Sequence, residues 1–341
     1  MFDAVGALRS ADLASRLTVV IALFLIAGCT GNSADVELLN VSYDPTRELW
    51  QDLNKAYAAQ YQVKHGKTIN LQQSHAGSSS QARAVIDGLQ ADVVTLALWS
   101  DTDALRRKGL IADKWEDRLP NRSLPYYSTI VFVVRKGNPK QIKDWPDLVR
   151  DGVGVITPNP KTSGNGRLSF LAAWGAIRDQ GGSEAEAEDY VRKLYRNVKV
   201  LDTGARGSTV TFAQRKVGDV QITWENEAHL EVRESHAALE IVYPSRSIKA
   251  EPHVAWVDKN VEKKGTREAA EEYLRFLYTP EAQEIIARNE YRPIDADVLA
   301  KYAKQFPPIK LFPITSFVTG WDEAQSKFFA DQGVFDRIYE R

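Results

Sequence analysis

Asn159-Pro160-Lys161-Thr162-Ser163-Gly164-Asn165-Gly166-Arg167 decides how this chain reads. The stretch follows an apolar run, Val153-Gly154-Val155-Ile156, and precedes Leu168, Phe170, Leu171, Ala172 and Trp174 at helical spacing. Strand, small-residue turn and helix in that order bring free backbone N–H groups and a serine hydroxyl to one spot, and such a spot takes an anion. The turn is rich in donors and carries no carboxylate.

Outward from this motif, short apolar strands alternate with helical patterns, which predicts an α/β fold with largely parallel sheets. Strands are expected at 36–41, 68–73, 92–98, 129–134, 153–156, 198–201, 220–224 and 239–243. Asp44-Pro45 reads as an N-cap and first helical residue, with Leu49, Trp50, Leu53, Ala56 and Tyr57 forming the buried face of that helix. A helix runs from the Ser78 turn through Leu89, another over 267–278, and Thr279-Pro280-Glu281 starts a third. Three further turns resemble the first in their donors: Ser42-Tyr43-Asp44-Pro45, His75-Ala76-Gly77-Ser78 and Asp202-Thr203-Gly204-Ala205-Arg206-Gly207-Ser208. In open α/β sheets ligands sit beyond the carboxyl ends of the strands, so four such turns in one chain point to a shared anion site.

The first residues speak to location. Arg9 and Arg16 precede an apolar run over 17–27, too short for a membrane span of about 20 residues. It ends in Ile26-Ala27-Gly28-Cys29, which reads as a secretory signal over 1–28 with a lipobox, Cys29 becoming the acylated first residue. Cys29 is the single cysteine of 341 residues, so a mature chain of about 310 residues has no internal disulfide and depends on its core. That length predicts two lobes. A net charge of −1 argues against nucleic acid, which needs a basic face, and 43% hydrophobic with 26% charged residues describes an ordinary globular chain.

Motif by motif, the chain resembles the periplasmic sulfate-binding proteins of ABC importers and their thiosulfate-binding relatives. The resemblance runs from Leu38-Leu39-Asn40-Val41-Ser42-Tyr43-Asp44-Pro45-Thr46-Arg47-Glu48-Leu49 through Gln73-Ser74-His75, the 159–167 motif, Leu171-Ala172-Ala173-Trp174-Gly175 and Gly204-Ala205-Arg206-Gly207 to Trp224-Glu225-Asn226-Glu227. It implies a two-lobed type II clamp with the ligand in the cleft. Lobe 1 is expected over 34–122 plus 255–341 and lobe 2 over 123–254, with chain crossings near 118–128 and 247–258. It implies donors to sulfate from Asp44, Ser78, Ser163, Gly164, Asn165, Ala205 and the Trp224 indole. His75, Arg167 and Arg206 are expected behind them, the arginines bonding nearby carbonyls. Two departures stand out: Gly166 where the family commonly has alanine, and Ala76 where it commonly has glycine.

Sulfate has no proton to give at neutral pH, so a donor-only shell suits it. The partners implied are sulfate or thiosulfate, the permease of an ABC importer, and a membrane if Cys29 is acylated; a monomer is expected, with no cofactor and no metal. Another tetrahedral oxyanion such as molybdate or tungstate is the alternative in the same class. An ester hydrolase is the alternative in another, and it lacks its parts. Asp202-Thr203-Gly204 is a single aspartic-protease tripeptide where a dyad needs two. Gly77-Ser78-Ser79-Ser80 lacks the Gly-Lys-Ser/Thr ending of a nucleotide loop, and no Gly-x-Ser-x-Gly elbow occurs. The five histidines show no metal-ligand spacing.

Overall fold

A computed structural model of the chain describes residues 34–339; the leader and Cys29 lie outside the described residues. Its strands are β1 (Val36–Tyr43), β2 (Ile69–Ala76), β3 (Val93–Thr95), β4 (Tyr126–Arg135), β5 (Val155–Pro158), β6 (Val198–Asp202), β7 (Val220–Trp224), β8 (Leu239–Val242), β9 (Arg246–Ala250), β10 (Val254–Trp256), β11 (Arg292–Pro293) and β12 (Lys310–Phe312). They form two sheets. The first has the order β10-β3-β1-β2; the second runs β12-β9-β4-β7-β5-β6, with β8 and β11 also paired to β4. Pairing is parallel at β1–β2, β1–β3, β5–β6, β5–β7 and β9–β12, whereas β4 is antiparallel to every neighbour.

Helices cover both sheets because their apolar residues recur every three or four positions. On the first, the helix Arg47–His65 buries Leu49, Trp50, Leu53, Tyr57 and Tyr61. Trp50 is fully enclosed, and its indole N–H donates to Ser42 Oγ of β1 at 2.9 Å. On the second, the helix Gly164–Arg178 buries Leu168, Phe170, Leu171 and Trp174 in one aromatic core with Phe132 and Trp145. The central strand β4 reads as a nearly unbroken apolar run because elements cover both its faces.

Strand register places the turns in pairs. The β1–β2 pairing ends at Tyr43↔Ala76, which sets the Asp44 and Gly77 turns side by side. The β5–β6 pairing ends at Pro158↔Asp202, which sets the Asn159 and Thr203 turns side by side, and Asn159 N–H donates to the Asp202 carbonyl at 2.8 Å.

The tail of the chain departs from the sequence expectation, which gives all of 255–341 to the first lobe. From about residue 310 the chain packs on the second sheet. β12 joins β9, and Phe312, Phe317, Phe328, Phe329 and Phe335 enter the core around Phe170 and Trp174. The reason is local room: a Cβ at Gly175 would overlap the Phe312 ring, so the glycine opens the seat that Phe312 fills. Asp44 also departs from expectation. It is the first residue of a 3-10 turn, Asp44–Thr46, whose N-cap is Tyr43, and its carboxylate pairs with Arg47 at 2.6 Å instead of capping. Thr279 does cap, accepting from Ala282 N–H ahead of Pro280.

Candidate anion-binding site

Between the carboxyl ends of the two sheets lies a cavity of about 270 Å³. All seven residues nominated from the sequence line it: Asp44 and Ser78 from the first sheet's turns, and Ser163, Gly164, Asn165, Ala205 and Trp224 from the second's. Tyr43, Pro45, Ala76, Gly77, Ser80, Ala97, Thr162, Thr203 and Gly204 complete the wall. Among the described residues no lysine, arginine or histidine lines it. Lys161, the one cation inside the decisive motif before Arg167, turns away to Asp336 at 2.8 Å and to the carbonyls of Phe329 and Ala330.

What faces the cavity instead is a set of helix starts. Asp44 opens its 3-10 turn, Ser78 opens the helix Ser78–Ile86, Gly164 opens Gly164–Arg178, and Ala205 opens Ala205–Thr209. Trp224 is the N-cap of the helix Glu225–Glu234. First-turn N–H groups have no partner inside their own helix, and each helix start carries about half a positive charge. The backbone N–H groups of Asp44, Ser78, Gly164, Asn165 and Ala205 make no turn, loop or cap hydrogen bond to another backbone group among the described residues, and Trp224 lines the cavity beside them. The arrangement therefore presents hydrogen-bond donors and partial positive charge to whatever enters.

Side chains fix these donors. Ser163 Oγ accepts from Gly166 N–H at 3.2 Å, so the cap uses the hydroxyl's oxygen and leaves its proton free for the cavity. The Asn165 amide is spent inward, donating to Thr223 Oγ1 at 3.3 Å and accepting from Ser169 Oγ at 3.0 Å, which leaves its backbone N–H as the outward donor. Ser78 Oγ accepts from Ala97 N–H at 3.0 Å and donates its one proton to Asp101 at 2.5 Å, so Ser78 offers its backbone N–H to the cavity. Asp101 is buried, and burial pushes its pKa up against the hydrogen bond from Ser78. Sequence reading missed Asp101, because Trp99-Ser100-Asp101-Thr102-Asp103 looks like the solvated start of an acidic helix.

Gly166 sits where an added Cβ would lie 2.6 Å from the Pro158 carbonyl oxygen. The glycine thus lets the first turn of its helix press against the end of β5. Arg167 meets the expectation of bonding a carbonyl, donating from Nε to Pro160 at 3.1 Å, and it also crosses to Ser79 Oγ of the first half at 3.3 Å. Arg206 does not: its partners are carboxylates, Glu227 at 3.1 Å and, across the cleft, Glu48 at 3.1 Å. His75 is half-buried with Nδ1 3.4 Å from the Tyr43 carbonyl, and burial together with Arg47 lowers its pKa.

Behind Arg206 two carboxyls are buried one helical turn apart. Burial first, then the charge of Glu227, pushes Glu231 up to about 8, while burial raises Glu227 to about 7 against the pull of Arg206. Glu231 accepts from Thr209 Oγ1 at 2.6 Å and Gln221 Nε2 at 2.8 Å through one oxygen, and the other has no partner among the described residues. The folded chain therefore holds a proton on Glu231 that the unfolded chain releases near 4.5. That contribution to stability is complete below pH 4.5 and is lost as pH rises towards 8. Glu231→Gln is expected to gain on the wild type across this window, by on the order of 2 °C in Tm per pH unit. Melting both proteins at pH 5, 6.5 and 8 checks it; a Tm difference that stays flat with pH would show the carboxyl to be ionised throughout.

Residues 41–292 match the family model of bacterial extracellular solute-binding proteins. The chain is 56% identical over 320 residues to the sulfate-binding protein of Escherichia coli K12, covering 93% of this chain and 97% of that one. It is 51% identical over 304 residues to the thiosulfate-binding protein of Pseudomonas aeruginosa, covering 89% and 92%. Among solved structures, the sulfate-binding protein SubI from Mycobacterium tuberculosis H37Rv superposes with a TM-score of 0.78 at 32% identity, covering 86% of this chain and 99% of that one.

Proposed function

We propose, from the premise that this chain belongs to the bacterial extracellular solute-binding protein family, that it captures sulfate or thiosulfate in the cleft and delivers it to the permease of an ABC importer. Asp44, Ser78, Gly164, Asn165 and Ala205 donate backbone N–H groups, Ser163 its hydroxyl and Trp224 its indole N–H. His75, Arg167 and Arg206 hold the turns from behind. The protein works outside the cytoplasmic membrane as a monomer, tethered by a lipid on Cys29 and without catalysis. Labelling with a radioactive fatty acid tests the tether, which is sunk if the label stays off a chain whose Cys29 is intact.

The observation that carries the reading is a cavity walled by helix starts and donors with no cationic side chain among its described lining. A fully ionised dianion can accept at every oxygen. Monohydrogen phosphate brings an O–H that would face another donor, leaving buried groups unpaired at about 1–3 kcal/mol each, or roughly 10- to 100-fold in affinity. Hydrogen bonds to a charged group contribute about 1.5–3 kcal/mol apiece. Seven of them exceed the roughly 8 kcal/mol of micromolar binding, and the surplus offsets dehydration of the anion and closure of the lobes. Closure brings the two donor sets onto one ligand, which shifts the open–closed equilibrium.

Calorimetry on the chain from residue 30 onward, stripped of anions, tests this. Sulfate or thiosulfate is expected to bind one to one at micromolar affinity or tighter, with phosphate silent. Folded protein that binds neither sulfur oxyanion overturns the proposal, and molybdate binding alone would move the assignment to the larger oxyanions.

A further inference from the structure

Trp224 carries one polar atom on a flat and otherwise apolar ring, so its worth as a donor depends on where the ring is held. Against its face lies Tyr43, with ring centroids 5.7 Å apart and planes inclined by 33°. The two residues come from different sheets, Tyr43 ending β1 and Trp224 ending β7. Both are almost fully buried and both line the cavity.

The Tyr43 phenol does not serve the anion. Its oxygen has no hydrogen-bond partner among the described residues. Burial first, then the neighbouring Tyr126 and Tyr291 phenols, push its pKa well above the ordinary value. Those two tyrosines stand where the chain passes between the sheets: Tyr126 opens β4, pairs with Pro293 of β11 and meets the Tyr291 ring edge-on at 4.9 Å. Tyr291 in turn donates to the Pro45 carbonyl at 2.9 Å and accepts from Asn226 Nδ2 at 3.0 Å. The Tyr43 hydroxyl thus has the phenols of the crossing segments as neighbours, while its ring shares a core with Trp224.

We propose that Tyr43 is a positioning residue of the anion site: its ring seats the Trp224 indole so that the N–H faces the cavity. Because the two rings belong to opposite sheets, the seat exists when the sheets are together, which ties delivery of this donor to closure. The inference rests on the oxyanion reading of the cleft.

A double-mutant cycle with sulfate and thiosulfate as probes tests it. Tyr43→Phe removes an unpartnered hydroxyl and keeps the ring, so wild-type affinity is expected. Tyr43→Leu is expected to weaken binding about tenfold, mainly through faster release measured by stopped flow. In a Trp224→Phe background, where no indole N–H remains to be aimed, the same change is expected to cost less than about threefold. Tyr43→Met serves as the second variant should the leucine protein fail to fold. Equal losses in both backgrounds, or no loss in either, overturn the inference and leave the oxyanion reading intact. A wild type that binds no oxyanion sinks both together.

Discussion

Gly164→Leu is expected to abolish anion binding while the protein stays folded. Gly164 lines the cleft where the two halves come close: a Cβ there would lie 3.4 Å from Ala97 Cβ and 3.7 Å from both Leu98 Cγ and Ser78 Cβ. One methyl fits as ordinary contact, so Gly164→Ala is expected to lose only a few-fold in affinity. The remaining three carbons of leucine have no space except the cavity itself or the plane along which the two halves meet. Either way the donors of Ser78 and Asn165 no longer reach one ligand, and the loss should exceed 100-fold, about 3 kcal/mol. The backbone tolerates the change, since Gly164 is not in the left-handed region and is the first residue of its helix. Thermal melts separate the two effects. Wild type with sulfate at a thousand times its Kd gains about 4 kcal/mol of stability, whereas the leucine variant at the same sulfate concentration should gain no more than about 1.4 kcal/mol. A leucine variant that keeps the full ligand-induced rise would place the anion elsewhere.

Arg292→Met is expected to cost about 3–5 kcal/mol of stability. Arg292 holds Glu225 with two bonds of 2.7 Å, and both side chains are almost wholly buried. Its third bond, to the Pro307 carbonyl at 3.0 Å, fastens the segment that leads to β12. With the guanidinium gone, the Glu225 carboxylate is left without its partner in a place where burial already raises its pKa. Protonation relieves part of that, so the deficit should shrink at pH 5 and be greatest at pH 8. Urea unfolding measures it. Adding Glu225→Gln to Arg292→Met should recover part of the loss, because a neutral amide is cheaper to bury unpaired than a carboxylate. A single variant within 1 kcal/mol of wild type would show that water reaches the pair.

The turns that line the cleft were legible in the sequence because their signals are local. Ser163-Gly164 after an apolar strand, Gly77-Ser78 after another, and Gly204-Ala205 after a third each announce a helix start within a few residues, and the structure brings all of them to one cavity. What escaped is long-range. Asp101 accepts the Ser78 hydroxyl's hydrogen bond from 23 residues away, and nothing near it in sequence marks it as buried. Tyr43 meets Trp224 across 181 residues, a pairing set by sheet topology and not by pattern. The attachment of β12 to β9 follows from a missing side chain at Gly175, which reads in the sequence as one more small residue in a helix. Arg206 was expected on carbonyls and found carboxylates, because its partners Glu48 and Glu227 come together only when the two halves do.

The absence of cationic side chains from the described cavity wall bears on the surroundings in which such a scavenger works. Dissolved salt screens charges that face water over about 8–10 Å, and a mobile lysine at the rim would lose its pull as salinity rose. Backbone dipoles buried at the ends of helices are screened much less. A site so built is expected to lose less affinity as salt rises than one rimmed by lysines, and with a net charge of −1 the chain has little long-range attraction for anions to lose.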